Sequence, residues 1–490
     1  MYKPGMYKKF QEFLGRPVDT ASLVVFRVLF GITMLVEVYR YFSHDWIGRY
    51  YIRPDFYFKY YGFEWVQPWE GAGMYWHFAA LGLLSIFITV GLFYRVSMIA
   101  FFLGFSYVFL LDQTRYLNHF YLVMLVCFAM CMVPANRAFS LDSKIRPRLY
   151  SQTIPAWGVW VLVALFEITL LYAGLVKVNS DWLHLQPLTM WFAKRQHLSV
   201  FGGLLTEQWF IALSAWGSVA LHLIGAPLLL WRKTRPYVFV VYVIFHLSNH
   251  VLWQIGIFPW LTIAGTLMFF EPDWPRRFTS WMLRRLGLLI EWAGRLKRGT
   301  VSDLLDKSKS PDNTVAERTE PYALQWWVTP LILLFTGYQI LMPLRHFLYP
   351  GDVAWTEEGH RFAWRMKLRD KKGETFFAVT NPATGEEWEV DPLDYLKRKQ
   401  FRRMSCRPDM VLQFAHFLAD TWKRELEVEN PEVRAWTDCS LNGRRSATLI
   451  DPDRDLATVK RDLGSADWIL PLDEPLPPWP GAARIARSRN

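Results

Sequence analysis

The sequence predicts a polytopic α-helical membrane protein of about nine spans, carrying a C-terminal exoplasmic domain of α+β or β-rich type. Three observations lead there. Of the 490 residues, 52% are hydrophobic and 17% aromatic, with 25 tryptophans, more large apolar surface than an ordinary soluble fold buries. Mean hydropathy is nevertheless only +0.08, so a polar part accompanies the apolar one, and the seam between them falls near Arg345. Finally, most of the +11 formal charge lies in the N-terminal tail and in short loops between apolar runs. That is the positive-inside pattern of a membrane protein and speaks against a nucleic-acid partner.

The opening MYKPGMYKKFQEFLGRP is basic and lacks a cleavable signal pattern, so residues 1–20 are expected to form a cytoplasmic tail. Eight spans are then expected within a membrane domain of residues 21–277. The first covers about Ala21 to Tyr41, and the segment from Ser43 to Trp76, dense in Tyr and Trp, suits an outer interfacial layer. Two more spans, about His77 to Phe93 and Met98 to Leu111, meet at the short inner turn Tyr94-Arg95. A fourth ends near Val133, before the basic inner loop ANRAFSLDSKIRPRLY. The fifth, about Ala156 to Val176, therefore runs outward and delivers Lys177 to the outer face. An amphipathic outer layer from Asn179 to Gln208 precedes the sixth span, which reaches the inner turn RKTR. The seventh, about Pro236 to Leu252, goes out, and a short eighth returns by Phe270.

Residues 278–321 are read as a cytoplasmic amphipathic segment and linker, and residues 322–344 hold the ninth span. An odd number of spans puts residues 345–475 outside. There RFAWRMKLRD and TFFAVTNPATGEEWEV alternate like strands with KKG as their turn, a helical segment covers about Pro392 to Glu427, and RAWTDCSL and RSATLIDP flank Asn442-Gly443 as further strands. Residues 476–490 have the composition of a disordered tail. Four cysteines give no disulfide framework: Cys127 and Cys131 share one face of an apolar helix, and whether Cys406 and Cys439 pair is open.

Polar residues gather at one depth. Asn118 and His119 begin the fourth span, Lys177 follows the fifth, His246, Asn249 and His250 end the seventh, and Arg345 and His346 follow the ninth. Lys177 has two readings: its stem snorkels and the ammonium sits among headgroups, or it faces a cavity where desolvation makes it a base near neutral pH. Convergence of several polar groups at the outer level favours a cavity, because ionisable groups in spans usually face a bundle interior. Glu167, roughly 15 Å below Lys177 on a helix, is expected to pair with a group such as His222, and Glu37 with Arg40. The i,i+4 pair His246 and His250 could share a metal, but no HExxH or carboxylate accompanies it, so no metal is expected. A glycine-rich phosphate loop, a GxSxG elbow and a CxxC pair are absent from the sequence.

The blocks LDQTRYLNHFYL, AGLVKVNSDW, FHLSNHVLWQIGIFPW with FFEPDWPRR, and LRHFLYPGDVAWTEEGHRFAWRMKLR resemble the vitamin K-dependent gamma-glutamyl carboxylase family, whose membrane part is the HTTM domain. The resemblance runs from about residue 20 to 460 and indicates a shorter, bacterial-like member. It implies that Lys177 is the catalytic base, with His119 holding the lysine region. Asn118, His246 and Asn249 are expected to face the quinol, and His346, Trp364 and Arg369 to serve the substrate. Implied with them are reduced vitamin K of the menaquinol or phylloquinol type, O2 and CO2 as co-substrates, and a glutamate-containing protein or peptide as partner alongside membrane lipid. The expected place is a bacterial inner membrane with the C-terminal domain facing the periplasm, or the ER lumen of a eukaryotic cell. Where the family has a lysine before the catalytic one, this chain has Val176, which leaves quinol epoxidation without carboxylation as an alternative. A transporter or receptor for a lipid-soluble ligand is the non-enzymatic alternative.

Overall fold

In the computed structural model, residues 5–198, 202–292 and 320–477 are described. The apolar runs become helices because a chain in lipid must satisfy its backbone internally. They are α1 (Ala21–Ser43), α2 (Gly73–Val90), α3 (Tyr94–Leu110), α4 (Asn118–Met132), α5 (Trp157–Leu175), α6 (Gln208–Ala220), α7 (Arg235–Trp253), α8 (Phe258–Leu267), α9 (Trp274–Trp292) and α10 (Val328–Leu341). α6 continues through a π-turn at Leu221–Gly225 to Leu230. Among the described residues six helices are long and apolar enough to cross a membrane; α3, α4 and α8 are shorter apolar helices at expected span positions.

Phe26, Phe30, Phe101, Val126 and Phe166 form the centre of the helical core. The inner turns are held by polar side chains reaching backbone. Asp142 accepts from the amides of Phe93 and Tyr94 at 2.7 and 2.9 Å, capping α3 from the neighbouring loop. Arg27, fully buried on α1, donates to the carbonyls of Ala135 and Phe139 at 2.7 and 2.5 Å. Glu37 and Arg40 pair at 2.5 Å, as their spacing predicts. The expected pairing of Glu167 with His222 does not form. His222 Nδ1 faces the Ser218 carbonyl one turn back, and Glu167 Oε2 has no hydrogen-bond partner among the described residues.

The C-terminal part is a four-stranded antiparallel sheet in the order β2-β1-β3-β4, made of β1 (Lys371–Thr380), β2 (Glu387–Val390), β3 (Glu432–Leu441) and β4 (Ala447–Thr448). Helices α11 (Arg398–Met404) and α12 (Pro408–Glu425) accompany it. One face of α12, with Val411, Phe414 and Leu418, packs on the sheet residues Phe377, Val379, Val433 and Ala435. Cys406 and Cys439 are joined in a disulfide, settling a pairing that sequence left open. Gly373 passes directly behind it, where a Cβ would lie 2.6 and 2.7 Å from the two sulfurs.

Two further sequence expectations change. RFAWRMKLRD is not a strand: positive φ at Phe362, Trp364 and Lys367 turns it into irregular chain, and KKG opens β1 instead of forming a turn. Its basic side chains do not alternate across a sheet: Arg369 reaches the Glu357 carboxylate at 2.7 Å and Arg361 reaches Asp409 at 3.3 Å. The outer segment after α1 is also more than an interfacial layer. Phe56 and Phe58 pack into the C-terminal core, while Gln413 and Arg461 bond the Lys59 backbone at 2.7 Å each. α9 covers the basic amphipathic stretch as far as Trp292; the expected linker beyond it and most of the expected disordered tail lie outside the described residues.

Candidate active site

A cavity of about 690 Å³ opens between α4, α5, α6, α7 and α8 and extends up to the segment before β1. Its volume is in the range of small-molecule sites. Its lower walls are Phe166, Leu170, Phe210, Phe245, Leu252 and Phe258, and among them stand Asn118, His119, Lys177, His246 and Asn249. Both ring nitrogens of His246, a buried residue, lack a hydrogen-bond partner among the described residues. His119 packs edge-on against Phe120 and tilted against Phe258.

Lys177 is 7% exposed. It follows α5 in the last turn of chain before Asn179, whose side chain accepts from the Trp182 amide at 3.0 Å and starts the next short helix. The ammonium position is fixed by the Ala173 carbonyl one turn back and lies 5.6 Å from the Trp182 ring centroid. Among the described residues no carboxylate pairs with it. Burial alone therefore lowers its pKa to about 7. This is a cavity lysine, not a snorkelling one.

The upper end is different in kind. Glu357 is the centre of a cationic cluster: Arg369 lies at 2.7 Å, Lys371 at 3.7 Å and Arg407 at 3.9 Å. Burial pushes the Glu357 carboxyl up, but these cations outweigh it and hold it below the ordinary value. Burial brings Lys371 down to about 7 against the pull of Glu357, helped by Arg369 and Arg407. His360, which touches Arg369, is kept neutral first by burial and then by that arginine. Arg365, Lys367 and Arg403 line the same end, so positive charge exceeds negative and an anion is the fitting occupant.

Six of the eight residues singled out from sequence, Lys177, Asn118, His119, His246, Asn249 and Arg369, line this one cavity. Trp364 and His346 stand behind its wall. Trp364 is fully buried 5.1 Å from the Tyr121 ring, and its Nε1 has no hydrogen-bond partner among the described residues. His346 backs the turn carrying Glu357 and His360; Gly359 there, at φ +69°, comes so near that a Cβ would sit 2.6 Å from the His346 Cα.

Residues 15–274 match the HTTM domain family, and residues 324–475 match the family described as vitamin K-dependent gamma-carboxylase, lumenal domain. The chain belongs to the vitamin K-dependent gamma-carboxylase family. No solved structure matches it. The two matched regions meet at the cavity: the HTTM part supplies Lys177 and the histidines, the lumenal-domain part supplies the cations. Sequence reading missed Glu357, Lys371, Arg403 and Arg407. The runs KKG and FRRMSCR carry charge, but they read as a turn and as part of a helical segment, since nothing in them reveals that the disulfide and β1 fold them inward.

Proposed function

We propose that this carboxylase-family chain couples O2-dependent epoxidation of a vitamin K-type hydroquinone to CO2 addition at a peptidyl glutamate, with Lys177 as the initiating base. The observation that carries the reading is the two-ended cavity: a buried amine with no carboxylate partner among the described residues at the apolar end and surplus positive charge at the other. The apolar end fits the quinol, since His246 offers two buried nitrogens without a partner among the described residues and the surrounding walls are aromatic and aliphatic.

When bound, the quinol supplies on reaction with O2 a base strong enough to take the glutamate γ-proton, which no side chain can, and leaves as its 2,3-epoxide. Lys177, neutral above about 7, accepts the phenolic proton that begins this reaction. Asn118, His246 and Asn249 orient the quinol hydroxyls, and His119 holds the lysine side of the ring. Arg369, with Lys371 and Arg407, receives the glutamate carboxylate; Trp364 and His346 support that wall from behind. The aromatic rim of Trp191, Phe192 and Trp253 keeps water from the reacting atoms. No step calls on a metal.

The same reading counts α3, α4 and α8 as spans, giving about nine, with residues 1–20 cytoplasmic, the membrane domain at 21–277, the ninth span at 322–344 and the C-terminal domain, 345–475, exoplasmic. The basic inner loops support it, and so does the disulfide, which suits an oxidising compartment. Outside-only thiol labelling should reach a cysteine placed at Gly385 and miss one at Lys309; the reverse would overturn the topology.

Purified protein given a vitamin K hydroquinone, O2, CO2 and a glutamate peptide should take up O2 and form epoxide and carboxylated peptide. Epoxide without carboxylation would reduce the reading to a quinol epoxidase. Neither product would leave a ligand-binding membrane protein.

A further inference from the structure

The two ends of the cavity come from segments far apart in sequence, and the coupling proposed above demands that they hold a fixed separation. Asp181 lies four residues beyond Lys177 and is buried. Arg444 grips it with two bonds of 2.7 Å, one to each oxygen, and Asn442 Nδ2 adds a third at 2.7 Å. Asn442 stands at the turn between β3 and β4 with φ +52°. Its other atoms serve the cationic segment: the side-chain oxygen accepts from the Asp370 amide at 2.7 Å, and its own amide donates to the Asp370 carbonyl at 2.9 Å. Asp370 sits between Arg369 and Lys371, two of the three cations that reach Glu357. Leu368 packs with Val176 and Trp182 on the lysine side of the same junction.

We infer that Asp181, Asn442 and Arg444 form a clasp of positioning residues that sets the register between the base-bearing loop and the acceptor-binding cations, and so couples quinol oxidation to carbon–carbon bond formation. A bidentate arginine–carboxylate pair is suited to this because it fixes orientation as well as distance. The consequence follows from proton balance. In the coupled reaction the glutamate γ-carbon would give up the proton, and quinol, O2, CO2 and glutamate would become epoxide, carboxylated glutamate and water. With the acceptor out of register the proton comes from solvent, and quinol plus O2 become epoxide plus water alone.

This inference rests on the proposed function, so its test has two arms. In full-length protein in lipid, Asp181→Asn, Asn442→Ala and the milder Arg444→Lys are compared with wild type for epoxide formed, carboxylation per epoxide, and amide hydrogen exchange over residues 177–186 and 367–371. Epoxide formation should stay within about twofold, while carboxylation per epoxide falls at least about tenfold, less in Arg444→Lys, as expected for a small misplacement of reacting groups. Exchange in both segments should rise together. A ratio unchanged in variants whose exchange has risen, or epoxide and carboxylation falling in parallel, would overturn the coupling role. If wild type makes no epoxide, the proposed function fails, and the exchange arm still decides whether the clasp joins the two segments: unchanged exchange refutes it.

Discussion

Lys177 and Lys371 are two buried lysines on one cavity, both brought to about 7, and they differ in nearly everything else. Lys177 owes its shift to burial alone, with apolar walls about it and no carboxylate partner among the described residues. Lys371 sits among charges: its Nζ donates to the Trp355 carbonyl at 2.6 Å, lies 3.7 Å from Glu357 and shares that carboxylate with two arginines. The lesson is that a depressed amine pKa does not identify a base. What separates the two is their neighbours: Lys371 is committed to Glu357 and the Trp355 carbonyl, whereas Lys177 bonds a backbone carbonyl and, in the proposed function, accepts a proton from the quinol.

The largest expected effect comes from removing the Lys177 amine. Lys177→Ala should lower epoxide formation by about 10² to 10⁴-fold, the usual reach of a general base, while leaving insertion and thermal stability unchanged. Unchanged epoxidation would erase the contrast between the two lysines. Next in size, Glu357→Gln leaves three cations without their carboxylate and should destabilise the C-terminal domain by about 3 kcal/mol, read as a lower thermal midpoint. An unaltered midpoint would mean that the cluster is solvated and not the buried assembly described here. The smallest effect sharpens the comparison most. Epoxidation at saturating quinol should rise with pH through about 7 as Lys177 loses its proton and level off above it. Lys371→Met should keep that profile and raise only the KM for peptide; a profile that shifts with Lys371 would assign the titration to the wrong amine.

Much of the membrane half was legible because its signals are local. Apolar run length located the helices, and loop charge suggested their order. The AGLVKVNSDW block marked Lys177, and the NH and FH-x-x-N segments marked His119 and His246. The cationic end was less legible, since it depends on contacts remote in sequence. Arg369 was found through its block, but Lys371 and Arg407 acquire meaning only once Glu357 is folded between them. RFAWRMKLRD read as a strand because alternation was its one local cue, and nothing local announces the positive φ angles at Phe362, Trp364 and Lys367 that bend it. Asp181 lay within a quoted motif without revealing its partners, which are supplied by a turn about 260 residues later.

The central claim is that Lys177 acts as a base and not as an anchor or a fixed charge. Lys177→Arg tests it most directly, because guanidinium keeps the charge and length but stays protonated. Epoxide formation by the folded, membrane-inserted variant should fall to the level of Lys177→Ala, and carboxylation should fall with it. Epoxidation near the wild-type rate in Lys177→Arg would contradict the account.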